Sequence, residues 1–178
     1  MIEKVLSDSS ALFLFWLFAS AGLGKLKPEN RQYYSSLISD YFGAVGEKFG
    51  FIVLLVGSLE IVSGFLMLSP ATRHIGTAFI LILLAAYLSL MIYQIYQGKV
   101  NQDCGCAGPH SNIKVGIETI TRNVVLCGIA ALCALPAVGD FYLTFGLSLC
   151  LSLFMALTYL SAEKTISNLQ KSKLLQGR

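Results

Sequence analysis

The chain consists of long apolar runs separated by short polar stretches. A helix that spans a membrane requires about 20 mostly apolar residues. The runs are continuous and lack the regular in–out alternation of strands in a transmembrane barrel. The pattern therefore predicts membrane-spanning helices over five stretches: residues 10–26, 51–68, 75–97, 122–137 and 141–162.

The segments between these runs refine the prediction. Residues 25–48 are polar and aromatic and include Tyr33, Tyr34 and Tyr41, which favour the membrane–water boundary. They predict an amphipathic helix at the interface, with a plain solvated loop as the alternative. Pro136 closes the fourth run and the fifth begins at residue 141, which predicts a tight antiparallel hairpin.

Composition supports the same class. The chain is 55% hydrophobic and 13% charged, whereas soluble domains are about 45–50% apolar and about 25% charged. The net charge of +3 comes without a basic stripe and interleaved aromatic residues, so nucleic acid is not an expected partner. We therefore predict an all-α integral membrane bundle of about five helices, with the bilayer as its surroundings and residues 1–178 as one domain.

The polar stretch between the third and fourth runs carries the distinctive chemistry. It reads GKVNQDCGCAGPHSNIKVGIE and is rich in turn-forming residues. Cys104 and Cys106 are separated by Gly105, preceded by Asp103 and followed by His110. We treat the two cysteines as the candidate reactive pair.

Three interpretations of the pair remain open. A redox pair needs a sharp bend between the thiols, which glycine permits, and strained disulfides are easily reduced. A protonated His110 would favour a thiolate, whereas Asp103 would oppose it. Cys104, Cys106 and His110 are alternatively soft ligands for zinc or copper, although the spacing is not a standard one and we expect no metal. The third interpretation is a structural disulfide.

The remaining cysteines, Cys127, Cys133 and Cys150, lie in apolar runs and are interpreted as small hydrophobic side chains. Glu60 is an acidic residue well inside the second run. An ionisable group there is expected to face the bundle interior and to find a partner. It is either a structural contact or a carboxylate that handles protons or lies beside a quinone, and Arg122, followed by Asn123, is a candidate partner.

Through several of its motifs, the chain resembles the MauE proteins of methylamine-utilisation clusters, within the wider DoxX-like group of small membrane proteins. The resemblance rests on Gly22-Leu23-Gly24-Lys25-Leu26, on Leu59-Glu60 with Gly64, and on Asp103-Cys104-Gly105-Cys106 followed by Gly108 and then Arg122-Asn123. The last combination is the most specific. Where an aromatic residue and glycines are expected after the pair, this chain has Ala107-Gly108-Pro109-His110.

The resemblance implies a function. MauE-like proteins are associated with maturation of the disulfide-rich, exported small subunit of methylamine dehydrogenase, together with a thioredoxin-like partner, MauD. The resemblance implies that Cys104 and Cys106 exchange disulfides. It also implies that Glu60, Arg122 and Asn123 belong to the family pattern, with no assigned role. The expected location is the bacterial inner membrane. No cofactor is required.

Basic residues give an expectation for orientation. Lys4 and Arg73 lie on one side, whereas Lys25, Lys27, Arg31, Lys48, Lys99, Lys114, Arg122 and the basic tail lie on the other. The excess of basic residues favours a cytoplasmic location for the side that carries the cysteine pair. Disulfide chemistry in the periplasm would favour the opposite orientation. A cytoplasmic cysteine loop would still be compatible with it if reducing equivalents passed across the bundle through the membrane cysteines.

The leading hypothesis is a MauE-like thiol–disulfide protein, and whether it is itself an enzyme is left open. The first alternative is a quinone-linked oxidoreductase in which the pair passes electrons to a quinone beside Glu60. The second is a module that binds or transports a soft metal.

Overall fold

The structure is a computed structural model that describes residues 2–42, 50–98, 103–105, 113–135 and 141–176. Almost all of these residues are helical. The helices are α1 (Ile2–Leu26), α2 (Arg31–Phe42), α3 (Gly50–Leu68), α4 (Arg73–Tyr96), α5 (Ile117–Leu132) and α6 (Phe141–Gln176), with a 3-10 turn at Pro28–Asn30. The predicted all-α membrane bundle is confirmed.

Within the residues that the structure describes, four helices are long and apolar enough to cross a bilayer. They are α1, α3, α4 and the segment Thr144–Ser172 of α6. The fourth predicted run forms α5, whose 16 residues extend about 24 Å. That is shorter than the roughly 30 Å of bilayer hydrocarbon. The chain is thus a multi-pass membrane protein in which α5 is a shorter helix packed against the spans.

The helices α1, α3, α4 and α5 form a closed ring. α1 packs on α3 and α5, α3 packs on α4, and α4 packs on α5. α6 packs on the outer side of α1. The core between them contains Phe13, Leu14, Met67, Ile80, Leu84, Leu126 and Ala130. Large apolar side chains such as Phe65, Ile82 and Phe154 point outward, as expected for a surface that faces lipid.

α5 and α6 are not packed side by side as the predicted hairpin requires. A groove of about 370 Å³ lies between them, with Phe13 of α1 at its floor. The connecting residues 136–140 lie outside the described residues. α6 packs against α1, whereas α5 packs between α1 and α4.

Small residues bring α1 and α3 close together. A Cβ atom on Gly22 would lie 2.5 Å from the carbonyl oxygen of Gly57, and one on Gly57 would lie 3.1 Å from the Cβ of Lys25. Only glycine fits at position 22, and a Cβ at position 57 would be a tight contact. Small residues are common where membrane helices pack closely. The close approach places Lys25 of α1 beside α3, where Glu60 lies.

The predicted interfacial segment forms α2, which packs on α1 and α3. Pro28 opens the preceding turn, and the Asn30 side chain donates a hydrogen bond to the Gly24 carbonyl at 2.8 Å. Tyr34 and Ile38 are buried against the bundle. The segment is therefore helical, as predicted, and it covers the end of the bundle at which α1 ends.

An ion pair stabilises the other end of the bundle, at which α1 begins. Arg73 at the start of α4 donates to Asp8 of α1 at 2.7 Å and to the Met67 carbonyl of α3 at 3.3 Å. It also donates to the Ser7 hydroxyl at 3.2 Å. One arginine thus joins three helices at this boundary.

Candidate functional site

Cys104 lies in a short loop segment that is fixed on both sides. Its backbone N–H donates to the Ile113 carbonyl at 2.9 Å, beside an isolated bridge between Asp103 and Lys114. The side chain of Gln170 on α6 accepts from the Lys114 N–H at 2.9 Å and donates to the Lys114 carbonyl at 3.1 Å. Cys104 is 8% exposed, so its sulfur is held near the bundle and is largely shielded from solvent.

Gly105 gives the loop its bend. Its φ of +68° lies in the left-handed region, which side chains disfavour. A Cβ atom there would also lie only 2.4 Å from Cδ2 of Leu37 on α2. The glycine therefore serves two purposes, since it turns the chain directly after Cys104 and lets α2 pack against the loop.

Two of the candidate site residues, Cys106 and His110, lie outside the described residues. The redox, metal and structural interpretations of the cysteine pair therefore stay predictions. Of the neighbours that the sequence singled out, Asp103 and Gly105 are placed by the structure, and both belong to the fixed segment around Cys104.

Arg122 is a charged residue that contacts Cys104. Its Nη2 donates to the Cys104 sulfur at 3.9 Å, and its Nη1 lies 3.5 Å from Oε1 of Glu163 on α6. The guanidinium also lies 5.9 Å from the centre of the Tyr159 ring. The arginine side chain is only 7% exposed. A buried cation beside a thiol favours the thiolate, which is the nucleophile in disulfide exchange.

Glu60 has a different partner from the one predicted. Lys25 donates to both of its carboxylate oxygens at 2.9 Å, and the Tyr87 hydroxyl donates to Oε1. The prediction that Arg122 pairs with Glu60 is wrong, because Arg122 is turned toward Cys104 and Glu163. Lys25 was counted as a loop charge in the sequence, whereas the Gly22–Gly57 crossing draws it into the bundle.

The three intramembrane polar residues of the prediction nevertheless meet at one cavity. Glu60, Arg122 and Asn123 line a space of about 40 Å³ together with Tyr87 and Tyr159. A water molecule takes about 30 Å³, and a benzene-sized ring needs about 150 Å³. This cavity has room for a water molecule between the carboxylate and the guanidinium. It is too small for a quinone ring beside Glu60.

Four residues of this network escaped the sequence analysis. Lys25 was counted as a topology signal, Tyr87 and Tyr159 sit inside apolar runs, and Glu163 marks the point where the fifth run ends. In the sequence, each of these four residues is accounted for without a role in a polar network. Only Glu163 has a feature that could have singled it out: it is the first charged residue after a long span, and it lies on the same side as the cysteine loop.

The membrane cysteines are spread along the bundle. Cys133 belongs to the apolar core, and Cys127 is partly buried against it. Six residues of helix separate them by about 9 Å along the axis, more than the Cα separation of about 4.4–6.8 Å in a disulfide. Cys150 is exposed on α6. Their packing is that of small apolar side chains.

The model of the family described as methylamine utilisation protein MauE matches residues 3–136. The chain belongs to the MauE family. The match covers α1 to α5 and includes Lys25, Glu60, Cys104 and Arg122, whereas α6 lies beyond it. No curated protein and no solved structure matches the chain. The MauE assignment agrees with the four helices of the described residues that are long and apolar enough to span a bilayer: this is a multi-pass membrane protein of a family named for methylamine utilisation.

Proposed function

We propose that the protein carries out thiol–disulfide exchange through Cys104 and Cys106. The supporting observation is the buried Arg122 guanidinium that donates to the Cys104 sulfur at 3.9 Å. Because the guanidinium favours the thiolate, Cys104 is the attacking cysteine. Cys106 is then the resolving cysteine, and the left-handed φ of Gly105 turns the chain directly after Cys104.

The exchange partner in this proposal is a thioredoxin-like protein of the MauD type. Together they support maturation of an exported protein with several disulfides, such as the small subunit of methylamine dehydrogenase, at the bacterial inner membrane. Gly105 and Leu37 place α2 directly beside the reactive loop. The partner therefore approaches a surface formed by α2 and the cysteine loop.

Mixed-disulfide trapping tests this proposal. In cells, Cys106→Ser is expected to accumulate a mixed disulfide between Cys104 and the partner, because the resolving thiol is missing. Cys104→Ser is expected to trap nothing, and Cys150→Ser serves as the matched control with an unreactive cysteine removed. Acid-quenched alkylation followed by mass spectrometry measures the same species, and an impermeant reagent reports which side the loop faces.

The proposal is contradicted if neither variant traps a partner and the cysteine pair stays in one redox state under all growth conditions. Thiol–disulfide exchange is then not the function of the protein. A pair that is always oxidised then indicates a structural disulfide. A pair that is always reduced, with stoichiometric metal after anaerobic purification, indicates a soft-metal site.

A quinone-linked oxidoreductase is the second candidate, and the groove between α5 and α6 favours it. The groove of about 370 Å³ is open toward the lipid, is lined almost entirely by apolar side chains, and has Arg122 at its margin. It holds a ring where the cavity beside Glu60 does not. Quinone that co-purifies in mild detergent and is lost in Val125→Trp, which fills the groove, would support this candidate; purified protein without quinone would count against it.

A further inference from the structure

Glu163 is a partly buried carboxylate in a position that the proposed exchange leaves unexplained. It lies on α6 at the end of the apolar segment, on the same side of the bundle as the cysteine loop. Its side chain is 18% exposed, and its contact with Arg122 is a long ion pair of 3.5 Å. Within the described part of the chain, its buried Oε1 accepts no hydrogen bond.

Arg122 faces two acidic groups with a single positive charge. Its Nη2 contacts the Cys104 sulfur, and its Nη1 contacts Glu163. Among these three groups, a thiol and a carboxylate are balanced by the guanidinium, whereas a thiolate and a carboxylate carry one excess negative charge beside the buried guanidinium. Such a charge is strongly disfavoured, and one of two interacting acids then keeps a proton.

The surrounding groups make Glu163 the acid that takes the proton. Glu60, across the small cavity, accepts two contacts from Lys25 and one from Tyr87, and the Lys25 ammonium also lies over Tyr34. Tyr159 on α6 offers its ring to Arg122. Asp103 and Glu118, two acidic residues on the loop side, are partly buried like Glu163, but each has an interaction partner. Of these four acids, Glu163 has the weakest support from its neighbours.

We propose that Glu163 and Cys104 share one proton through Arg122, and that Glu163 is protonated whenever Cys104 is a thiolate. The step is a proton exchange without electron transfer: the Cys104 thiol and the Glu163 carboxylate become a thiolate and a carboxylic acid. When the thiolate attacks a partner disulfide, a sulfur–sulfur bond forms, the old one breaks, and the departing partner thiolate receives the proton. Glu163 is thus a positioning residue that acts through Arg122.

This inference rests on the proposed exchange function but adds a residue outside the part of the chain that the family model matches. The Gln170 contacts to Lys114 fasten α6 to the cysteine loop, so that Glu163 and Cys104 are held in one register.

The pH dependence of Cys104 alkylation tests the shared proton. In reduced full-length protein carrying Cys106→Ser, the rate is expected to rise in two steps separated by a plateau, because two coupled acids titrate as a pair. Glu163→Gln is expected to give one step and an alkylation rate about tenfold higher near neutral pH, since Arg122 then serves Cys104 alone. Glu118→Gln, which removes a nearby acid from α5, is the matched control and keeps two steps.

A conservative variant and a direct readout separate coupling from folding defects. Glu163→Asp restores a carboxylate and is expected to restore the two-step profile. In reduced-minus-oxidised infrared spectra, the carbonyl stretch of a protonated carboxylic acid is expected to appear on reduction of the wild type, to vanish in Glu163→Gln and to persist in Glu118→Gln.

The outcomes distinguish this inference from the exchange function. A one-step wild-type profile, or an infrared band that survives Glu163→Gln, overturns the shared proton while a cycling cysteine pair leaves the exchange function intact. If the pair never changes redox state and no infrared difference appears, the exchange function fails first, and the inference that rests on it fails with it.

Discussion

Two glycine residues at the α1–α3 crossing allow the buried Glu60 carboxylate to form an ion pair with Lys25. Gly22 and Gly57 carry no side chains, so the two helices come close enough for Lys25 to contact both oxygens of Glu60. A larger residue at either glycine would force the helices apart. The two glycines are therefore part of the polar network, although neither carries a polar side chain.

Gly22→Ala is expected to lower the free energy of unfolding by about 1–3 kcal/mol, the usual cost of overpacking. The new methyl group would lie 2.5 Å from the Gly57 carbonyl oxygen, so the backbones must separate. Thermal unfolding in detergent micelles measures the effect. Gly24→Ala is the control, because a Cβ there meets nothing within 4 Å, and it should be neutral or slightly stabilising. Equal stability of the two variants would contradict the tight crossing.

Among the elements, α6 differs most from its sequence expectation. The fifth apolar run of the sequence ends at residue 162. In the structure the helix continues to Gln176 and contacts the cysteine loop through Gln170. A helix that begins as a membrane span thus ends as the support of the reactive segment, which no local sequence pattern indicates.

Gln170→Ala is expected to loosen the loop without unfolding the bundle. It removes two hydrogen bonds to the Lys114 backbone, each worth about 0.5–1.5 kcal/mol net. Hydrogen exchange at the amides of Cys104 and Lys114 should become about tenfold faster or more. Asn168→Ala, an exposed amide on the same helix, should leave exchange unchanged. If both variants exchange like the wild type, Gln170 does not hold the loop.

At the scale of the whole molecule, buried ion pairs join helices that are distant in sequence. Lys25 and Glu60 join α1 to α3, Asp8 and Arg73 join α1 to α4, and Arg122 and Glu163 join α5 to α6. Charges inside a membrane protein are costly unless they are paired. Each pair therefore favours one register of its two helices over its alternatives.

A double-mutant comparison checks this role for the Lys25–Glu60 pair. Glu60→Gln alone leaves a buried ammonium without its counter-charge and is expected to destabilise the protein by about 3–5 kcal/mol. Adding Lys25→Met should recover part of that loss, because no uncompensated charge remains. Thermal unfolding of both single variants and of the double variant provides the cycle, and strictly additive losses would show that the two charges are not coupled.

The pairs also change the count of charges that orient the protein. Lys25, Arg73 and Arg122 are buried in ion pairs, so they are poor markers of a loop's location. Lys27, Arg31, Lys114 and the tail remain on the side of the cysteine loop. The excess of basic residues still predicts a cytoplasmic loop. A direct relay through Cys127 and Cys133 is disfavoured by their separation along α5.

The amino-acid sequence by itself determined the class, the helices and the candidate chemistry. Continuous apolar runs require helices in lipid, because backbone polar groups have no other partners there. The Cys-Gly-Cys segment, Glu60 and the Arg-Asn pair stood out because such residues are rare in apolar surroundings. The family resemblance rested on the same residues, and the family model confirms it.

Only the tertiary structure decided which charges meet. Lys25 and Arg122 are both basic residues near helix ends, and the sequence does not indicate that one faces Glu60 while the other faces Cys104 and Glu163. That choice depends on the closeness of α1 to α3 and on the position of α6 outside the ring. Both result from packing between segments far apart in the chain, and a local pattern carries no information about such contacts.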